Sequence, residues 1–212
     1  SAAPLGKIGQ QARDMAIEEI NAAGGIKSMD GAQLKMVYAD SKGDPGEVDY
    51  PLSGQVIEPV KIISDSSAIW ILANFKYSVN AGSTEVVSKG GSDIILVKND
   101  IKTKAIVFYQ IGGTGNEKAV GMVKSGDQVI VAGSFSGKLD FGNQSVEVKK
   151  HGPNTFVASV STDCLPIDIL SMENDEGNFP CSLFASETGI YLAGEFRGKI
   201  EIDGKNMESA GE

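Results

Sequence analysis

Apolar positions near the amino terminus recur at helical spacing. Ile8, Ala12, Met15, Ala16, Ile20 and Ala23 fall on one face, while Arg13, Asp14, Glu18 and Glu19 fall largely on the other, which predicts a helix over about 8–23. Gly24-Gly25 follows at once and supplies a left-handed stop. Gln33 to Asp40 reads as a short strand, and Ser41 to Asp49 carries the glycines, proline and charge of a loop. These elements make an α/β segment over 1–48, followed by a linker over 49–65. From residue 66 the pattern changes to short strand-like runs separated by glycine-rich or Asn/Asp-rich turns. The runs are Ala68–Phe75, Ser92–Lys98, Ala105–Ile111, Gln128–Phe135, Thr155–Ser161, Ile167–Met172, Ser182–Ala185 and Ile190–Phe196.

These runs repeat. Val129-Ile-Val-Ala-Gly-Ser-Phe-Ser-Gly-Lys-Leu-Asp-Phe-Gly-Asn143 and Ile190-Tyr-Leu-Ala-Gly-Glu-Phe-Arg-Gly-Lys-Ile-Glu-Ile-Asp-Gly204 match at a spacing of about 60 residues. Ala132 pairs with Ala193, Phe135 with Phe196 and Gly137 with Gly198. A more diverged copy runs from Ile69 to Gly82, with Phe75 standing where Phe135 stands in the next. Many short strands at such a period indicate a mainly β chain of propeller-like repeats behind an N-terminal helix-strand segment. The β-repeat domain then spans 66–212, with two full copies and a truncated third. Residues 60–97 also fit a helix, a strand and another helix continuing the α/β segment. The simultaneous spacings to the second copy favour the β reading.

Two resemblances sharpen this. Gly9-Gln-Gln-Ala-Arg-Asp, Ala16-Ile-Glu-Glu-Ile-Asn-Ala-Ala-Gly-Gly-Ile26 and Val37-Tyr-Ala-Asp-Ser-Lys-Gly-Asp-Pro45 resemble the amino-terminal part of periplasmic solute-binding proteins of the branched-chain amino-acid type. That resemblance implies a ligand site lined here by Ala3, Pro4 and Leu5. It covers under a quarter of the chain, without the family's first strand or second lobe, so it implies a borrowed segment. Val131–Gly142, Gly90-Gly-Ser-Asp-Ile-Ile-Leu-Val-Lys98 and Ile111-Gly-Gly-Thr-Gly-Asn116 resemble the β-propeller repeats of bacterial secreted and cell-surface proteins, over 66–204.

Charge narrows the partners. The 212 residues carry a formal net charge of −9, which disfavours nucleic acid and anionic lipid, since both require basic surface. No apolar run is long enough to span a bilayer as a helix. Cys164 and Cys181 have no metal-ligand spacing; two thiols or one disulfide both fit. His151, the single histidine, sits in a Lys-Lys-His-Gly-Pro turn, so histidine-dependent nucleophilic catalysis has no second candidate. The glycine clusters at Gly90-Gly91 and Gly112–Gly115 open no helix and read as turns. No cofactor is expected beyond a weakly held calcium, for which Asn174, Asp175 and Glu176 offer oxygen ligands without the EF-hand spacing. Trp70, Phe75 and Tyr77 fit core packing or an exposed aromatic platform, with core favoured.

The expected function is a non-enzymatic, extracytoplasmic β-repeat module, periplasmic, secreted or at the cell surface, that binds a protein or glycan ligand or serves structurally. The truncated third copy implies self-association or further blades. The alternative is a small-solute receptor of the periplasmic binding-protein type using the N-terminal segment.

Overall fold

The computed structural model describes residues 14–27, 31–34, 52–148, 152–174, 176–202 and 204–210. The chain divides into two compact units, Ser1–Tyr38 and Ala39–Glu212. In the first, helix α1 (14–22) ends where Gly24 and Gly25 take φ of 96° and 82°. Such angles suit glycine, which lacks the Cβ that crowds the left-handed region. Gly25 N–H closes the helix on Ile20 O at 2.9 Å. The Asn21 amide then brackets Leu34, donating to its carbonyl and accepting from its N–H, both at 2.7 Å. The start of the expected helix and nearly all of the 33–40 strand lie outside the described residues.

The second unit is mainly β and antiparallel. Its strands are β1 (Leu52–Ser64), β2 (Ala68–Ala81), β3 (Thr84–Val87), β4 (Asp93–Asp100), β5 (Ile106–Gly113), β6 (Glu117–Ser125), β7 (Gln128–Phe135) and β8 (Lys138–Phe141). They continue with β9 (Gln144–Glu147), β10 (Asn154–Ser161), β11 (Pro166–Asn174), β12 (Asn178–Ser186), β13 (Gly189–Phe196), β14 (Lys199–Ile202) and β15 (Lys205–Glu208). One sheet follows the order β1-β2-β4-β5-β8-β9, with β3 beside β2; a second follows β6-β7-β10-β11-β14-β15. The third is the hairpin β12-β13. None of the three closes on itself among the described residues, which show open antiparallel sheets and no closed barrel or ring of blades.

The stretch read from composition as a linker is β1, the longest strand but one, paired along β2 from Leu52↔Ala81 to Ser64↔Ile69. Gly54 and Pro59 misled that reading. Both sit where the register shifts, and β1 is an edge strand that can carry proline without losing a ladder bond. The reading of 60–97 as helix-strand-helix is likewise excluded, because that stretch lies in β1 to β4 and their turns.

One apolar core joins the two large sheets. Trp70 and Leu72 of β2, Ile94 and Leu96 of β4, Ile111 of β5 and Leu139 and Phe141 of β8 belong to the same cluster as Met122, Val129, Val131, Phe135, Phe156, Val160 and Ile169. Each large apolar side chain so buried contributes about 1.5–3 kcal/mol. Phe135 and Phe156 meet edge to face, their centroids 6.3 Å apart.

Short hairpins leave the sheets at matching bends. Tyr77, Gly137 and Gly198 take φ of 64°, 68° and 66°. At each bend the carbonyl accepts one closing bond, from Ser88 N–H at 2.8 Å, Val148 N–H at 2.9 Å and Ser209 N–H at 2.9 Å.

Candidate functional site

Among the described residues, the buried carboxylates lie where the turn before β4, the β5–β6 turn and the β7–β8 bend meet. Gly91 N–H donates to Gly115 O and Glu117 N–H to Ser92 O, both at 2.8 Å; Thr114 N–H reaches Lys138 O at 2.9 Å. Glycine makes this approach feasible. A Cβ on Gly113 would lie 1.7 Å from Lys138 O.

Two carboxylates sit inside this junction, Asp93 at the start of β4 and Glu117 at the start of β6, both 0% exposed. Asp93 accepts from Gln110 Nε2 at 2.6 Å, from Ser88 Oγ at 3.1 Å and from Lys89 N–H at 3.1 Å. Its Oδ2 occupies the space over Gly112, where a Cβ would come within 1.9 Å. Glu117 Oε2 accepts from Gly113 N–H at 3.0 Å, and its Oε1 is buried without a partner. Burial pushes the Glu117 carboxyl up to about 7; the charges of Asp93 and Asp140 push the same way, against the Gly113 bond and the Lys89 ammonium. An acid poised near neutrality suits proton transfer. Here, however, it is packed under backbone, and its one bond goes to the Gly113 amide. What it can do is tie the three turns together more firmly when protonated than when charged.

The corresponding place at the starts of β10 and β12 holds Asn154 and Asn178, both buried. Asn178 Oδ1 accepts from Thr155 N–H, and its Nδ2 donates to Met172 O at 2.9 Å. Asn178 N–H donates to Pro153 O at 3.0 Å, as Glu117 N–H does to Ser92 O. This junction has the same backbone bond, with buried amides where the first has buried carboxylates.

Ala3, Pro4, Leu5, His151 and Asp175 lie outside the described residues. Asn174 is buried, its Nδ2 donating to Arg197 O at 2.8 Å and its Oδ1 accepting from Glu176 N–H at 2.6 Å. That side chain therefore clamps a turn. Among the described residues no group of three or more His, Cys, Asp or Glu side chains is placed to hold a metal. Trp70 and Phe75 are core, and Tyr77 stands out at 67% exposed. Lys124 and Lys98 reach over the Trp70 ring, 5.1 and 6.0 Å from its centroid, and pair with Asp65 and Asp163. Cys164 is a buried free thiol, pushed up to about 11 by burial, and Cys181 an exposed one, so the disulfide alternative falls. Sequence reasoning missed Asp93 and Glu117 because charge at a turn reads as solvated. The available signal was a carboxylate directly before each apolar strand, in turns too glycine-rich to shield it otherwise. Neither a scan against protein-family models nor searches of curated proteins and of solved structures matched the chain.

Proposed function

We propose that this chain is a non-enzymatic extracytoplasmic module of propeller-like β repeats of about 60 residues, binding or bracing a partner through its β12-β13 end. The observation that carries the reading is the strand order of the two large sheets. Each opens with an antiparallel pair, β1-β2 or β6-β7, adds a second pair, β4-β5 or β10-β11, and takes its last hairpin from farther along the chain, β8-β9 or β14-β15. Neighbouring sheets are thus interlocked by shared chain, as stacked repeats require. The three bends at Tyr77, Gly137 and Gly198, with the same closing bond, support the same period.

In this reading β12-β13 opens a third sheet, and the partners are another copy of the chain, further blades, or a protein or glycan ligand. Phe179, Phe184 and Tyr191 are exposed on that hairpin, the last two with ring centroids 6.4 Å apart, and exposed aromatic clusters of this kind favour recognition surfaces. The reading is tested by assaying the chain against a panel of hydrolase and transferase substrates. No saturable turnover is expected. Turnover abolished by Glu117→Gln, with the fold intact by circular dichroism, would overturn it.

A further inference from the structure

The two large sheets define what the edge of β13 is built to hold. On β2, strand β4 lies antiparallel with Phe75↔Asp93, Ala73↔Ile95 and Ile71↔Val97. On β7, strand β10 lies antiparallel with Phe135↔Asn154, Gly133↔Phe156 and Val131↔Ala158. The two incoming strands share a pattern. Their first residue is a buried Asp or Asn, and their third and fifth are apolar and 0% exposed. Gly133 is the saddle for the third residue, since a Cβ there would lie 2.8 Å from the Phe156 ring. β13 repeats the receiving sequence with Phe196, Gly194 and Leu192 at those places, yet among the described residues its only strand partner is β12. Gly194 is exposed, and the three atoms nearest a Cβ there all belong to Phe179 and Pro180 of β12. A bare glycine in an exposed strand weakens it, unless another chain passes over it.

The neighbouring surface fits. On β10 and β11, Val157 and Leu170 form a cross-strand pair that alternation places on the sheet face opposite the buried Phe156, Ala158 and Ile169. Leu170 is 44% exposed there. The position equivalent to Val157 on the first sheet, Leu96 of β4, is buried in the core that the two large sheets share.

Resting on the repeat reading above, we propose that the free edge of β13 is a receptor for one antiparallel β-strand of a partner polypeptide. The strand pairs its first residue, Asp or Asn, with Phe196, lays an apolar third residue over Gly194, and sets an apolar fifth residue opposite Leu192. Main-chain hydrogen bonds supply affinity, and the two apolar positions supply selectivity.

The probe is a synthetic hairpin of residues 154–174 with Cys164→Ser, added to the full chain and read by amide exchange with mass spectrometry. Exchange across 189–196 is expected to slow about tenfold or more, with β7 unchanged. The same peptide carrying Phe156→Asp is expected to leave β13 as it was. Unchanged exchange at β13 with the intact peptide would overturn the proposal, as would protection confined to β7 and β10 by strand exchange. A dimer in sedimentation with β13 already protected would also overturn it, by giving the edge to a second copy. The repeat reading fails separately, if β7 in the free chain lacks the protection of a strand paired on both sides.

Discussion

β7 and β13 share an apolar pattern and an Ala-Gly-x-Phe ending, and meet opposite fates. Val129, Ile130, Val131, Ala132 and Phe135 are all buried, whereas no residue of β13 is. β7 lies between β6 and β10, while β13 has only β12 among the described strands. Local pattern therefore sets the element and its faces, and neighbours set its burial and most of its stability. A strand whose pattern is that of a sheet interior, standing at an edge, is an open valence.

The largest expected effect separates the two strands directly. Phe135→Ala should cost about 3–5 kcal/mol, because it opens a cavity beside Phe156. Phe196→Ala should cost less than about 1 kcal/mol in the free chain, its ring being only partly covered. Urea denaturation midpoints compare them. Equal losses would break the comparison.

A second contrast sets the junction with buried carboxylates against the one with buried amides. Glu117 has an ordinary value of 4.5 and is raised to about 7 in the fold. A carboxyl raised by folding binds its proton more tightly when folded. The stability it contributes is complete below about pH 4.5, declines as pH rises to about 7, and is gone above that. The loss amounts to about 3 kcal/mol. Denaturation series at pH 5 and pH 8 should show this slope, and Glu117→Gln should flatten it. Asn178→Asp should introduce a slope of the same sign at the second junction.

A third change concerns the bends. Tyr77 holds φ 64° with its ring largely in solvent, where Gly137 and Gly198 serve the other two hairpins. Tyr77→Gly should therefore stabilise by up to about 1 kcal/mol through relief of strain. Gly137→Tyr should destabilise. Thermal melts read both signs. The smallest effect belongs to the surface. Asp163→Asn, which breaks an ion pair to Lys98 at an exposed carboxylate, should change the melting midpoint by less than the equivalent of about 0.5 kcal/mol.

Much of the strand inventory was legible because period-two apolar runs between glycine turns have few other solutions. Gln128–Phe135 and Ile190–Phe196 were read to within a residue of β7 and β13. β1 was not legible, since its Gly54 and Pro59 resemble linker residues until β2 is known to lie beside them. β6 was overlooked for a similar reason, as Lys118, Gly121 and Lys124 interrupt its apolar alternation. The candidate site was the least readable part. Asp93 and Glu117 become a pair only through the bridge between Ser92 and Asn116, a contact that no local pattern announces. The side chain of Asn174, read from sequence as a calcium ligand, closes a turn onto Arg197 and Glu176, a contact that composition does not announce.

The most direct test of the contrast between β7 and β13 is residue-resolved amide exchange on the free chain. Amides of Val129–Phe135 should exchange only through global unfolding, while those on the unpaired edge of Ile190–Phe196 should exchange at least about a hundredfold faster through local opening. Equal protection of the two strands at low protein concentration would contradict the account, because β13 would then have a neighbour already.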